Sequence, residues 1–296
     1  MLARLQQIIS LALLAIVIVA WYLFGASAPI VAFFVSAALP LGYAGILAAE
    51  FLCSASIGRS DRPAIHWLKW WNAWFAELTM GSHIFCWRQP FRTNAEPDSL
   101  SGDNGSRRCG VVLVHGLFCN RAFWTPWMRR LRSDKRCFVA INLEPVFGSI
   151  DGYRTQIATA VYKVAAATGM PVLVICHSMG GLAVRRWLVD LCDDSIIHHV
   201  VTIATPHHGT WLARFAHSQN AREMQPNSPW LNKLNGVSPP GLNRRFVCWY
   251  SDTDNIVFPE SSACLSGADN RLVAGVSHVC LAFEPSVMNQ TLALLD

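Results

Sequence analysis

The chain has 296 residues, enough for one large α/β domain or two ordinary ones. Apolar residues make up 52% and charged residues only 15%, against roughly 45–50% and 25% in soluble domains, and most of the apolar excess lies in the first fifty residues. The net charge of +5 comes from scattered Lys and Arg with no basic stripe, which excludes a nucleic-acid surface; the ten cysteines show no C-x-x-C pairing, which excludes a zinc site and a disulfide framework.

From Leu5 through Ala49 there is no charged residue. One bilayer crossing takes about 20 apolar residues, so the run is long enough for two spans. Gly25-Ala-Ser-Ala-Pro29 is the turn between them, giving spans near Ile8–Phe24 and Ile30–Leu52, with Pro40, Gly42 and Gly45 bending the second. A signal peptide cleaved after Ala26-Ser27-Ala28 is the competing reading, but Pro29 would follow the scissile bond and the apolar stretch is long for one. Arg4 precedes the first span and Arg59, Arg62 and Lys69 follow the second, so the positive-inside rule puts both ends in the cytoplasm. A bacterial inner membrane with a cytoplasmic body is the expected location. Thiols such as Cys137, Cys176, Cys192 and Cys248, inside predicted strands and helices, agree with a reducing compartment.

Residues 1–58 therefore form a membrane hairpin, and residues 59–82 a linker with a Trp-rich helix over Ala64–Leu78. Trp67, Trp70, Trp71, Trp74 and Leu78 recur at helical spacing. That pattern fits a helix on the membrane surface and, equally, a core helix of the globular body. Thr93–Arg108 is a polar loop.

Residues 83–296 form the globular domain, and from Cys109 strands and helices alternate. Strands are predicted at Gly110–Val114, Cys137–Leu143, Val172–Cys176, Ile197–Ile203, Arg245–Tyr250 and Arg271–Ala274. Helices are predicted at Ala122–Arg132, Gly152–Thr168, Gly181–Leu191 and Val279–Leu295. This order implies a mostly parallel, doubly wound sheet covered on both faces.

Within it, Val172–Cys176 runs into Ser178 and then Gly180-Gly181 at the start of a helix. A serine on such a strand–turn–helix junction projects its hydroxyl above the sheet, which marks it as a nucleophile. Cys176 stands where that motif has its first glycine. A serine nucleophile needs a base and a carboxylate to orient it, following in the order acid, then histidine. The loop after Phe246–Tyr250 offers Asp252 and Asp254, and beyond it the one remaining histidine of ten is His278. The oxyanion donors are expected from the backbone N–H of Met179 and of Leu117, with Phe118 in reserve, on the loop His115-Gly116-Leu117-Phe118.

Val112-Leu-Val-His-Gly-Leu117, Cys176-His-Ser-Met-Gly-Gly-Leu182 and Val201-Thr-Ile-Ala-Thr-Pro-His-His-Gly-Thr210 together resemble bacterial lipases and esterases of the α/β-hydrolase superfamily, from about Gly110 to the C-terminus. The resemblance implies Ser178 as nucleophile, Asp254 as acid and His278 as base. The Asp that follows the catalytic histidine in calcium-binding lipases is missing here, where Val279-Cys-Leu stands, so no structural calcium is expected. No H-E-x-x-H or carboxylate cluster calls for a metal, and no cofactor is needed.

Other residues read more plainly. His177 packs beneath the turn, His115 braces the oxyanion loop, His207 and His208 shape the pocket floor, and Arg185 and Arg186 are surface charges. Trp211–Leu242 is a cap over an apolar acyl pocket. The expected activity is a membrane-anchored serine esterase or lipase acting on apolar or lipid-like carboxylic esters. An acyltransferase or thioesterase with the same triad, and a non-catalytic membrane scaffold, are the alternatives; the oligomeric state is open.

Overall fold

The computed structural model describes residues 1–57, 65–101, 108–191, 194–237 and 241–295, so Arg59, Arg62 and Cys192 lie outside the described residues. Two long helices open the chain, α1 (Leu2–Phe24) and α2 (Pro29–Ile57). Pro29 starts α2, where its missing N–H costs nothing. The helix then runs on through Pro40, Gly42 and Gly45 without a break. Trp21 Nε1 donates to Ser36 Oγ at 3.0 Å, tying α1 to α2. Both helices are long and apolar enough to cross a membrane, and only 6% and 11% of their apolar windows are buried within the protein, so neither is a core helix.

The Trp-rich helix α3 covers Trp67–His83 rather than Ala64–Leu78, and continues as a π-helical turn, Ile84–Arg88, into the short α4 (Gln89–Phe91). One face of α3 packs inward: Trp70 meets Phe51 of α2 edge-on, Trp74 Nε1 donates to the Ala44 carbonyl, and Glu77 is 3% exposed. The other presents Trp67, Leu68, Trp71 and Phe75 outward. The reading of this helix as packed on the body thus describes its inner face, and its outer face is apolar and exposed.

The body is a six-stranded parallel sheet in the order β2-β1-β3-β4-β5-β6. Its strands are β1 (Val111–Val114), β2 (Phe138–Ala140), β3 (Val172–His177), β4 (Ile197–Ile203), β5 (Phe246–Tyr250) and β6 (Asp269–Leu272). Alternate residues face opposite sides, so the strands divide into two cores. Val112, Val174 and Cys248 pack under α6 (Arg154–Thr168) and α7 (Met179–Val189); Leu113, Ile175 and Val247 pack under α5 (Thr125–Ser133) and α11 (Pro285–Leu292). The remaining helices are α8 (Gln219–Glu223), α9 (Pro229–Gly236) and α10 (His278–Leu281).

Four elements of the body depart from the sequence reading. The second strand is Phe138–Ala140 of the expected Cys137–Leu143, and the expected helix Ala122–Arg132 is a 3₁₀ turn, Arg121–Trp124, leading into α5. The sixth strand is Asp269–Leu272, two residues earlier than Arg271–Ala274. It is an edge strand and largely exposed, so apolar patterning does not mark it. The predicted helix Val279–Leu295 is three pieces, α10, α11 and a 3₁₀ turn at Ala293–Leu295. Pro285 cannot donate a helical N–H and starts α11 afresh.

Candidate active site

Ser178 sits between β3 and α7 with φ 53° and ψ −129°, a backbone conformation that lifts its side chain above the sheet. The turn is held from three sides. Its N–H donates to the Ile203 carbonyl at 2.9 Å, and its own carbonyl accepts from Gly181 N–H at 3.1 Å and from the Thr205 hydroxyl at 2.9 Å. Glycine is required where the loops close in: a Cβ on Gly180 would lie 2.6 Å from the Val114 and His115 carbonyl oxygens, and one on Gly116 2.8 Å from the Ser178 Cβ. Cys176, by contrast, is a fully buried residue of β3, paired with Val114 and Thr202, and its side chain fits the core beneath the turn.

His278 opens α10, and its Nδ1 stands 3.0 and 2.9 Å from the two carboxylate oxygens of Asp254. Asp254 Oδ1 also accepts the N–H groups of Ile256 and Val257 at 2.8 Å, which fixes the carboxylate from behind. Asp252 turns elsewhere and accepts the Gly275 N–H at 2.7 Å. Burial alone pushes the His278 imidazole down, but the charge and hydrogen bond of Asp254, then Glu77 and Glu50, hold it above the ordinary histidine value.

The loop after β1 is braced by His115. Its ring nitrogens meet the Gly116 carbonyl at 2.8 Å and the Leu143 N–H at 3.1 Å, and burial lowers its pKa to about 4, so the ring is neutral. Phe118 adopts φ 57° on that loop, and Met179 is the first residue of α7.

Ser178, His278, Leu117 and Phe118 line one cavity of about 480 Å³. Leu212 and Met224 from the Trp211–Leu242 segment also reach it, whereas Leu231 and Leu234 of that segment join the main core.

A family model described as the alpha/beta hydrolase family matches residues 111–289, more than half of the chain. The chain belongs to the α/β-hydrolase family. Among curated relatives, the chain is 27% identical over 233 residues to a triacylglycerol lipase of Burkholderia plantarii, covering 68% of this chain and 64% of the relative. It is 32% identical over 98 residues to Protein SERAC1 of Danio rerio, covering 28% of this chain and 15% of that one. The chain thus spans less than two thirds of the length of either. In three dimensions it resembles the mature form of a Bacillus licheniformis lipase, with a TM-score of 0.58 at 16% identity over 68% of this chain and 96% of that one, a likeness of fold.

Several residues around the hydrolase's cavity escaped sequence reasoning. Tyr43, Leu47 and Glu50 of α2 and Glu77, Gly81 and Phe85 of the α3 segment form its other wall. The available signals were the lone carboxylate that ends the uncharged run, Glu50, and a single acid among tryptophans, Glu77.

Arg185 is no surface charge. It is 5% exposed and donates to the His207 carbonyl at 3.3 Å and to Asn235 Oδ1 at 2.9 Å, joining α7 to the loop after β4 and to α9. Arg186 is half-buried and pairs with the more exposed Asp151 and Asp190. His177 stacks on Phe123 and meets the His278 carbonyl at 3.2 Å; burial, then the neighbouring His278, keep it neutral. His207 is fully buried against Thr202, and Pro206 reaches the cavity beside it.

Proposed function

We propose that this hydrolase is a membrane-anchored serine esterase or lipase that cleaves apolar or lipid-like carboxylic esters through an acyl-enzyme on Ser178. The observation behind this reading is that a serine on a strained strand–helix turn and a His278 held from behind by Asp254 face one largely apolar cavity.

Ser178 Oγ attacks the ester carbonyl carbon while His278 Nε2 takes the hydroxyl proton. Asp254, on Nδ1, orients the ring and stabilises the imidazolium. The N–H groups of Leu117 and Met179 receive the oxyanion, each contributing roughly 3–4 kcal/mol. Collapse expels the alcohol, which takes the proton from His278. Water then attacks the acyl-Ser178 with His278 again as base, giving the carboxylic acid and free enzyme.

The apolar lining from Leu47, Leu117, Phe118, Leu212, Met224 and Val257 suits an acyl chain. The lipase names of the B. plantarii and B. licheniformis relatives agree with that class of substrate. We assign α1 and α2 as a bilayer hairpin, because their apolar faces are open. The outward face of α3 rests in the headgroup layer, where tryptophan is favoured. The nine described cysteines are all free, which suits a cytoplasmic body.

A fluorophosphonate probe should label the wild type and fail to label Ser178→Ala; labelling of both, or of neither, overturns the nucleophile. A chain-length series of esters gives the acyl preference, and added alcohol acceptors separate hydrolysis from acyl transfer. Alkaline carbonate washing of membranes should leave the full chain in the pellet, and release to the supernatant overturns the hairpin.

A further inference from the structure

Four polar contacts run from the N-terminal helices to the two loops that hold His278 and Asp254. The Ser54 hydroxyl of α2 donates to the backbone carbonyl of Asp254 at 2.6 Å. Asn255 Nδ2 donates to Glu50 Oε2 at 2.8 Å, and Asn255 Oδ1 accepts the backbone N–H of His278 at 3.3 Å. The N–H of Val279 donates to both carboxylate oxygens of Glu77, at 3.2 and 3.1 Å. Glu50 and Glu77 also line the cavity that holds Ser178.

A buried carboxylate is costly unless a positive charge or good hydrogen bonds offset it. Glu77 is 3% exposed, and among the described residues it makes no ion pair with a Lys or Arg. The cation it can face is the imidazolium that His278 becomes as Ser178 gives up its proton.

We propose that Glu77 and Glu50 are positioning residues of the reaction, holding the His278 and Asp254 loops in register and stabilising the imidazolium by charge. The N-terminal helices are therefore part of the catalytic centre as well as its anchor. This rests on the Ser178–His278–Asp254 reading above.

The groups that touch the His278 ring are Asp254 from the loop after β5 and neutral His177 from β3, and Glu77 from α3 and Glu50 from α2 act on it by charge. Ionised, the carboxylates all favour the protonated ring; burial pushes the Glu77 carboxyl up and the charge of His278 draws it back down, so the two groups titrate against one another. Removing one lowers the pKa of His278, so the acidic limb of kcat/KM moves to lower pH, since the base works only when neutral. A purely structural role would not move that limb.

The test uses the full chain in detergent micelles with a short, soluble p-nitrophenyl ester. Glu77→Gln should lower kcat about ten- to hundredfold with KM within about twofold, and shift the limb down by about half a pH unit or more. Glu50→Gln should act in the same direction, and Ser54→Ala should lower kcat without a shift, because it removes no charge. Melting curves identify variants that fail to fold; if Glu77→Gln does, Glu50→Gln decides. Folded Glu77→Gln and Glu50→Gln enzymes with wild-type kcat and an unmoved limb overturn the inference. A wild type that the fluorophosphonate does not label overturns the triad instead, so the two failures are distinguishable.

Discussion

Asp252 and Asp254 stand two residues apart on one loop, yet only Asp254 meets the imidazole, while Asp252 takes the N–H of Gly275. Asp254→Asn should therefore cut kcat by about 10⁴, and Asp252→Asn by far less, in assays with a soluble ester. The acidic limb of kcat/KM should have its midpoint above 6.5, the ordinary value of a free imidazole, because Asp254 and the nearby glutamates outweigh burial at His278. A midpoint below 6.5 would contradict that balance. That Ser178 and His278 would meet at one cavity was legible in the sequence, because a strand–turn–helix junction and chain order single them out as candidates. Nothing periodic distinguishes two aspartates in a loop, so their choice needed the family resemblance and then coordinates. Arg185 was misread for a related reason: its partner Asn235 lies fifty positions away, and a lone arginine on a helix looks solvated until the chain folds.

At the scale of elements, buried strands announced themselves and the edge did not. The predicted and observed fourth strand coincide at Ile197–Ile203, because its second half, Val200 to Ile203, is buried and β-branched, although His198 and His199 near its start are only half-buried. The sixth, Asp-Asn-Arg-Leu, carries no such mark. The packing of α3 on α2 is set by a small residue: a Cβ on Gly81 would lie 2.5 Å from the Tyr43 hydroxyl. Gly81→Val should destabilise the detergent-solubilised chain by about 1–3 kcal/mol and loosen the cavity wall that Tyr43 and Gly81 share. A Cβ at Gly42 or Gly45 meets nothing within 4 Å, so valine there should leave the melting temperature nearly unchanged. Melting curves of the three variants compare these outcomes directly.

The whole molecule keeps His115, His177 and His207 neutral inside its body, each with a lowered pKa caused first by burial. The unfolded chain binds those protons below about 6.5 and the folded one does not, so stability should fall as acid is added. His115 alone, titrating at about 4 when folded, should cost about 2 kcal/mol at pH 5. His278 has the opposite sign and offsets part of this loss below 6.5. Chemical denaturation at pH 7.5 and 5 measures the difference, and equal stabilities would refute it. The α/β architecture was visible in the alternation of segments, whereas the union of hairpin and body was not. Periodicity reports which face of a helix is apolar, not what will cover it, and α3 has one face packed on the protein and one apolar face left open.

The contact between Ser54 and the Asp254 carbonyl has a practical corollary. Trimming the first eighty or so residues to obtain a water-loving fragment would amputate the supports of the acid loop together with the two long apolar helices. Such an excised piece should come out crippled even toward esters that never touch a bilayer, and solubility screens built on truncation would mistake a dismantled enzyme for an inactive one.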